Sequence, residues 1–108
     1  MAISSKPNAT SAKSNHAKQG ARLAAAAGPL RVLMVEDVPT VAAAMRAALL
    51  QAGMDVETVA TGTDALTAKD SFRPEIVLVD LELPDMNGIK LVEVFAREWR
   101  RRRSGGDL

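Results

Sequence analysis

Glu36 and Asp37 directly follow the apolar run RVLMV, and Asp80 directly follows the apolar run IVLV, with Glu82 two residues further on. A buried strand does not usually end in acids without a reason. In an open parallel α/β sheet, ligands bind outside the carboxyl ends of the strands. If these two strands are neighbours, Glu36, Asp37 and Asp80 gather at one edge. Three carboxylates held together repel one another and cost folding energy, and a hard divalent cation removes that cost. Mg²⁺ takes oxygen ligands and keeps several waters, which leaves room for a phosphoryl oxygen. A carboxylate can also attack phosphorus and form an acyl phosphate, with the cation neutralising the charge on the group in transfer. The segment Leu81 to Gly88, with Pro84 and Asn87-Gly88, turns the backbone back over the site. The carbonyl of Glu82 is near enough in sequence to Asp80 to serve as a further ligand.

Positioning these acids requires strands that end where the acids begin. Arg31 to Val35 is short, apolar and β-branched, the pattern of a buried strand. Pro39 suits the first turn of the helix that follows, where its missing N–H costs nothing. Val41, Met45, Ala48, Leu49 and Ala52 recur at helical spacing, and Gly53 stands where a left-handed cap is expected. Met54 to Ala60 alternates apolar and polar, as a half-exposed strand does. Thr61 to Asp64 resembles a capping box that opens a short helix, which stops before Pro74. Glu75 to Asp80 carries the third strand. Gly88 to Arg102 reads as a helix, with Glu93/Arg97 and Glu98/Arg102 spaced for i,i+4 pairs and with Phe95 and Trp99 on its inner face. The order β-α-β-α-β-α predicts a parallel sheet covered by helices.

The 108 residues leave room for one small domain. Without cysteine there is no disulfide framework and no thiolate metal site, which suits a reducing, cytoplasmic setting. No apolar run is long enough to cross a bilayer. The formal net charge of +1 conceals an asymmetry. Residues 1–29 hold four basic residues and no acid, residues 30–99 are net −6, and residues 100–108 are net +3. The predicted organisation is a basic disordered tail over 1–29, a folded body over 30–99, and a basic C-terminal tail over 100–108. The first segment has too few large apolar residues to offset its ordering entropy. The basic ends bring no interleaved aromatics, so a nucleic-acid partner is not expected. His16 has no acid beside it in sequence and is assigned no role.

VLMVED, followed by VLVD and LPDMNG, resembles the receiver domain of two-component response regulators. Pro84 and Gly88 fall four and eight residues after Asp80, as the family motif has them. The resemblance covers roughly Leu30 to Trp99. It implies a flavodoxin-like α/β fold, here truncated to a sheet of about three strands in order 2-1-3 with flanking helices. It also implies that Asp80 is the phosphoacceptor. Asp37 and Asp80 would bind Mg²⁺, with Glu36 helping through water and Glu82 offering its carbonyl. The phosphoryl donor would be a sensor histidine kinase or a phosphotransfer protein, and the domain would be a signalling module, not an enzyme. A complete receiver has five strand–helix pairs, with a Ser or Thr after the fourth strand and a Lys after the fifth. The resemblance reaches only the third pair. Weak phosphorylation is therefore expected, together with an unpaired edge on IVLV that invites self-association or pairing with another receiver.

Taken singly, these residues have plainer readings. Asp37 could merely favour a helix N-terminus, and Asp80 could be a strand-end turn residue. Their joint spacing favours a site. Two other functions compete. One is a non-catalytic fragment that pairs with another receiver or a kinase without accepting phosphate. The other is a phosphatase of the haloacid-dehalogenase type, whose motif wants a second Asp where this chain has Glu82.

Overall fold

In the computed structural model the described residues are 1–4 and 28–104. Three parallel strands form the centre: β2 (Arg31–Val35), β3 (Asp55–Val59) and β4 (Ile76–Val79). β2 lies in the middle, pairing Val35 with Val59 on one side and with Val79 on the other. Counted from Leu30, this is the expected 2-1-3 order. Helices α1 (Pro39–Gln51), α2 (Gly62–Phe72) and α3 (Gly88–Ser104) follow the three strands in turn. α3 runs on through the four arginines, so Arg100 to Ser104 continue the helix.

One strand was not foreseen. Ala2–Ser4 forms β1, antiparallel to β4, giving a four-stranded sheet in the order β1-β4-β2-β3. Val79 N–H donates to the Met1 carbonyl at 2.7 Å, and the Met1 amine donates to the Val79 carbonyl at 3.0 Å. The expectation of an unpaired third strand is thereby corrected. The backbone groups of IVLV that face away from β2 are met by the chain's own first residues, and that edge is not open to another receiver. Of the segment read as a disordered tail, residues 1–4 take part in the sheet and residues 5–27 lie outside the described residues.

Alternation along the strands sends side chains to two faces. Leu33, Val35, Val77 and Val79 meet Ala65 and Ala68 of α2 and Leu91, Phe95 and Trp99 of α3 in one continuous core. Phe95 and Trp99 lie 5.7 Å apart at 60°, a tilted pair near the edge-to-face arrangement. α2 begins as its sequence suggests, with Thr61 Oγ accepting from the Asp64 N–H at 3.0 Å. It ends at Arg73, whose left-handed φ of 54° turns the chain before Pro74. Lys69 of α2 pairs with Glu98 of α3 at 3.2 Å, and Glu98 also meets Arg102 at 3.7 Å.

Among the described residues, the opposite face is covered by α1 alone. Val41, Met45, Ala48, Leu49 and Ala52 recur at helical spacing, and no residue of α1 is buried. Only Ala42 and Leu49 reach half-burial within it. α1 leans on β3 and β2, and among the described residues no second helix flanks it on this face. Gly53 does close the helix, with φ of 91° and its N–H on the Leu50 carbonyl at 2.9 Å.

Candidate metal and phosphoacceptor site

The parallel register sets the acids level with one another. Glu36 N–H donates to the Val59 carbonyl at 3.0 Å, and Asp80 N–H donates to the Val35 carbonyl at 2.9 Å. These two bonds carry the sheet ladder one residue past the strands, so both acids leave the sheet at its carboxyl edge. One carboxylate oxygen each from Glu36, Asp37 and Asp80 lies within 4.8 Å of the other two. Asp37 is exposed, and Glu36 and Asp80 are half-buried.

That spread suits a hard cation. At Mg²⁺–oxygen distances of about 2.1 Å, opposite ligands of an octahedron stand about 4.2 Å apart. Small side-chain adjustments or a bridging water would close the difference. All the donors are oxygen, and the exposed Asp37 side gives a hydrated ion its path. The acids are also pre-aimed. Glu36 Oε2 accepts from the Val38 N–H at 3.2 Å, and Asp80 Oδ1 accepts from the Glu82 N–H at 3.2 Å. Glu82 itself is exposed, and among the described residues its carboxylate is not part of the cluster. That departs from the dehalogenase-type pattern, in which an acid two residues after the nucleophile belongs to the site.

Asp80 and Glu36 also border a groove of about 530 Å³ on the α1 face, floored by Met34, Leu78 and Met45 and flanked by Met1 and Ala2. The site therefore opens onto an apolar surface at one end. On the other side, the segment after Asp80 is folded tightly. Gly88 N–H donates to the Leu81 carbonyl at 2.9 Å, and Glu82 and Asn87 pair across the turn. A Cβ on Gly88 would collide with the Asp80 carbonyl, so only glycine fits. Leu83 tucks into the core below.

Sequence reasoning missed Asp85. Its carboxylate accepts from the Gly62 and Thr63 N–H groups, both at 2.9 Å, and from the Thr63 hydroxyl at 2.7 Å. The Thr63 hydroxyl first, and then the two amides, hold its carboxyl below the usual 3.8. No local pattern pointed to it, because its partners lie 22 and 23 residues earlier in the chain.

A model of the response regulator receiver domain matches residues 32–103. The chain belongs to that family. The DNA-binding response regulator MtrA of Mycolicibacterium smegmatis is 42% identical over 64 residues, which are 59% of this chain and 28% of MtrA. The regulatory protein LuxO of Vibrio vulnificus is 42% identical over 59 residues, covering 55% of this chain and 13% of LuxO. The crystal structure of the signal receiver domain of a putative LuxO repressor from Vibrio parahaemolyticus superposes with a TM-score of 0.60 at 30% identity. That match covers 65% of this chain and 54% of the solved one. The chain thus spans well under half of these curated relatives and about half of a solved receiver domain. Its α/β architecture is the flavodoxin-like one of receivers, which serve two-component signalling. Among the described residues no helix is long and apolar enough to cross a membrane.

Proposed function

We propose that this receiver binds Mg²⁺ and accepts a phosphoryl group on Asp80 from a sensor histidine kinase or phosphotransfer protein. The observation that carries the reading is the convergence of Glu36, Asp37 and Asp80 at the carboxyl edge of adjacent parallel strands. Asp37 and Asp80 would hold the ion directly, Glu36 through water, and the Glu82 carbonyl would add a ligand. The ion supplies positive charge against the phosphoryl oxygens. One Asp80 oxygen attacks phosphorus, the phosphorus–nitrogen bond to the donor imidazole breaks, and the imidazole, already protonated on its other ring nitrogen, leaves as the neutral ring. The product is an acyl phosphate. The role of the chain's own residues is orientation, since the Glu82 N–H holds one Asp80 oxygen and leaves the other free to react.

Incubation with acetyl phosphate and Mg²⁺, followed by intact-mass measurement, tests this. The expected result is one added phosphoryl group that is lost in Asp80→Asn and absent when the cation is chelated. An unmodified chain whose amide spectrum is also indifferent to Mg²⁺ and beryllofluoride would overturn it.

The unburied α1 face supports a second reading. In it the chain acts by binding a kinase or another receiver without accepting phosphate. An Asp80→Asn variant that kept full cellular activity would favour this one.

A further inference from the structure

The segment from Leu81 to Asn87 is pinned at its two ends by the Gly88–Leu81 bond and the Glu82–Asn87 bridge. Those contacts are local, and Leu83 adds apolar anchorage in the core, which carries no directional bond to set the segment's tilt. One further set of bonds ties it to a different element. Asp85 reaches across to α2 and takes three donors there, the Gly62 and Thr63 amides and the Thr63 hydroxyl. The amides are orphan donors of a helix N-terminus, which favours a carboxylate by both bonding and dipole. Next to this tie, Met86 lies where a Cβ on Gly62 would stand. Glycine at 62 therefore lets the segment approach, and Asp85 locks it. The same segment carries the Glu82 N–H that holds the Asp80 carboxylate.

We infer that Asp85 is a positioning residue for the Asp80 site. By capping α2 from outside the helix, it fixes the tilt of Leu81–Asn87. That sets both the Asp80 carboxylate and the Glu82 carbonyl for a divalent cation. The inference rests on reading the acid cluster as a cation site, and the experiment separates the two.

Mg²⁺ alone is titrated into the full chain and followed by the amide signals of Glu36, Asp37 and Asp80, with thermal unfolding measured alongside. Asp85→Ala should weaken Mg²⁺ affinity about 10-fold, the scale of losing a partner that orients a ligand. Thr61→Ala removes another cap from the same helix end without touching the segment. It should lower the melting temperature yet leave affinity within about twofold, since its effect is on the helix alone. Asp85→Asn keeps an acceptor oxygen and should recover part of the loss. Equal affinity in wild type and Asp85→Ala overturns the inference while leaving the cation site standing. So does a loss in Thr61→Ala as large as in Asp85→Ala, which would mean that α2 stability alone matters. No Mg²⁺ response in wild type overturns both the cation reading and the inference. If Asp85→Ala does not fold, Thr63→Val, which deletes one of the three donors, carries the same comparison with an expected loss of about threefold. An unchanged affinity there overturns the inference equally.

Discussion

The two faces of the sheet are finished to different degrees. On the α2–α3 face, Leu33, Val35 and Val77 are 0% exposed and Phe95 is 1% exposed. On the α1 face, Val41, Met45 and Leu50 are each 41% exposed, on a helix whose only charged residue is Arg46. A helix apolar nearly all round belongs inside a protein, so α1 is composed for a cover that the described residues do not supply. The candidate site lies on the seam. Asp80 belongs to the closed side, since its following segment is tied to α2 by Asp85 and sinks Leu83 into the core. Glu36 and Asp37 belong to the open side, since they lead directly into α1. The difference separates two jobs. One face closes the main core, and the other buries Val32 and Met34 of β2 but leaves most of α1, and Asp37, exposed.

The largest expected effect breaks that division if it fails. Phe95→Ala should destabilise by about 3–5 kcal/mol, the range for emptying a packed aromatic site. At roughly 0.05–0.15 kcal/mol per residue, a 108-residue chain has about 5–16 kcal/mol in total, so that loss is a large share of it. Met45→Ala on the open face should cost less than about 1 kcal/mol, as partly exposed substitutions do. Urea unfolding followed by circular dichroism measures both. Comparable losses would mean that α1 carries as much of the fold as α3.

A middle-sized effect concerns the edge of the sheet. In an antiparallel pair, bonded residues alternate with non-bonded ones. The two bonds between Met1 and Val79 therefore make Ile3 and Val77 the next bonded pair. Ile3→Pro removes that donor and should cost about 1–2 kcal/mol. It should also expose the IVLV edge, seen as concentration-dependent association in light scattering. A monomer of unchanged stability would show that β4 does not depend on β1.

The sequence made some of this legible and hid the rest for physical reasons. Arg31–Val35 was readable to the residue because a buried central strand has a continuous apolar signature. The acid cluster was readable because it depends only on where strands end and on their adjacency. β1 was not, since three residues flanked by a polar segment carry no periodicity, and only the unfilled edge of β4 makes them a strand. The exposure of α1 was not in its spacing, because helical spacing tells which residues share a face, not whether anything covers it. Asp85 was invisible because its partners are brought near only by the finished fold.

The smallest effect sharpens the comparison through charge. Lys69 on the closed face is partly buried, which by itself would pull its pKa down. Its bonds to Glu98 and Asp70 more than offset this and hold it above 10.5. A base whose folded pKa is raised contributes its full stabilisation below the unfolded value and loses it as pH rises through the folded one. The tie between α2 and α3 should therefore be intact at neutral pH and fade only above about 10.5. Asp85 has the opposite sign, because its carboxyl is held below 3.8, so its tie fades only as pH falls beneath that value. Melting temperatures measured across the alkaline range should drop more steeply in wild type than in Lys69→Met, which has no such proton to lose. Arg46→Met on α1, where no packed partner depends on the charge, should follow the wild-type curve. If the Lys69→Met and wild-type curves run parallel, the Lys69–Glu98 pair contributes nothing to closing that face, and apolar packing around Phe95 and Trp99 does all of it.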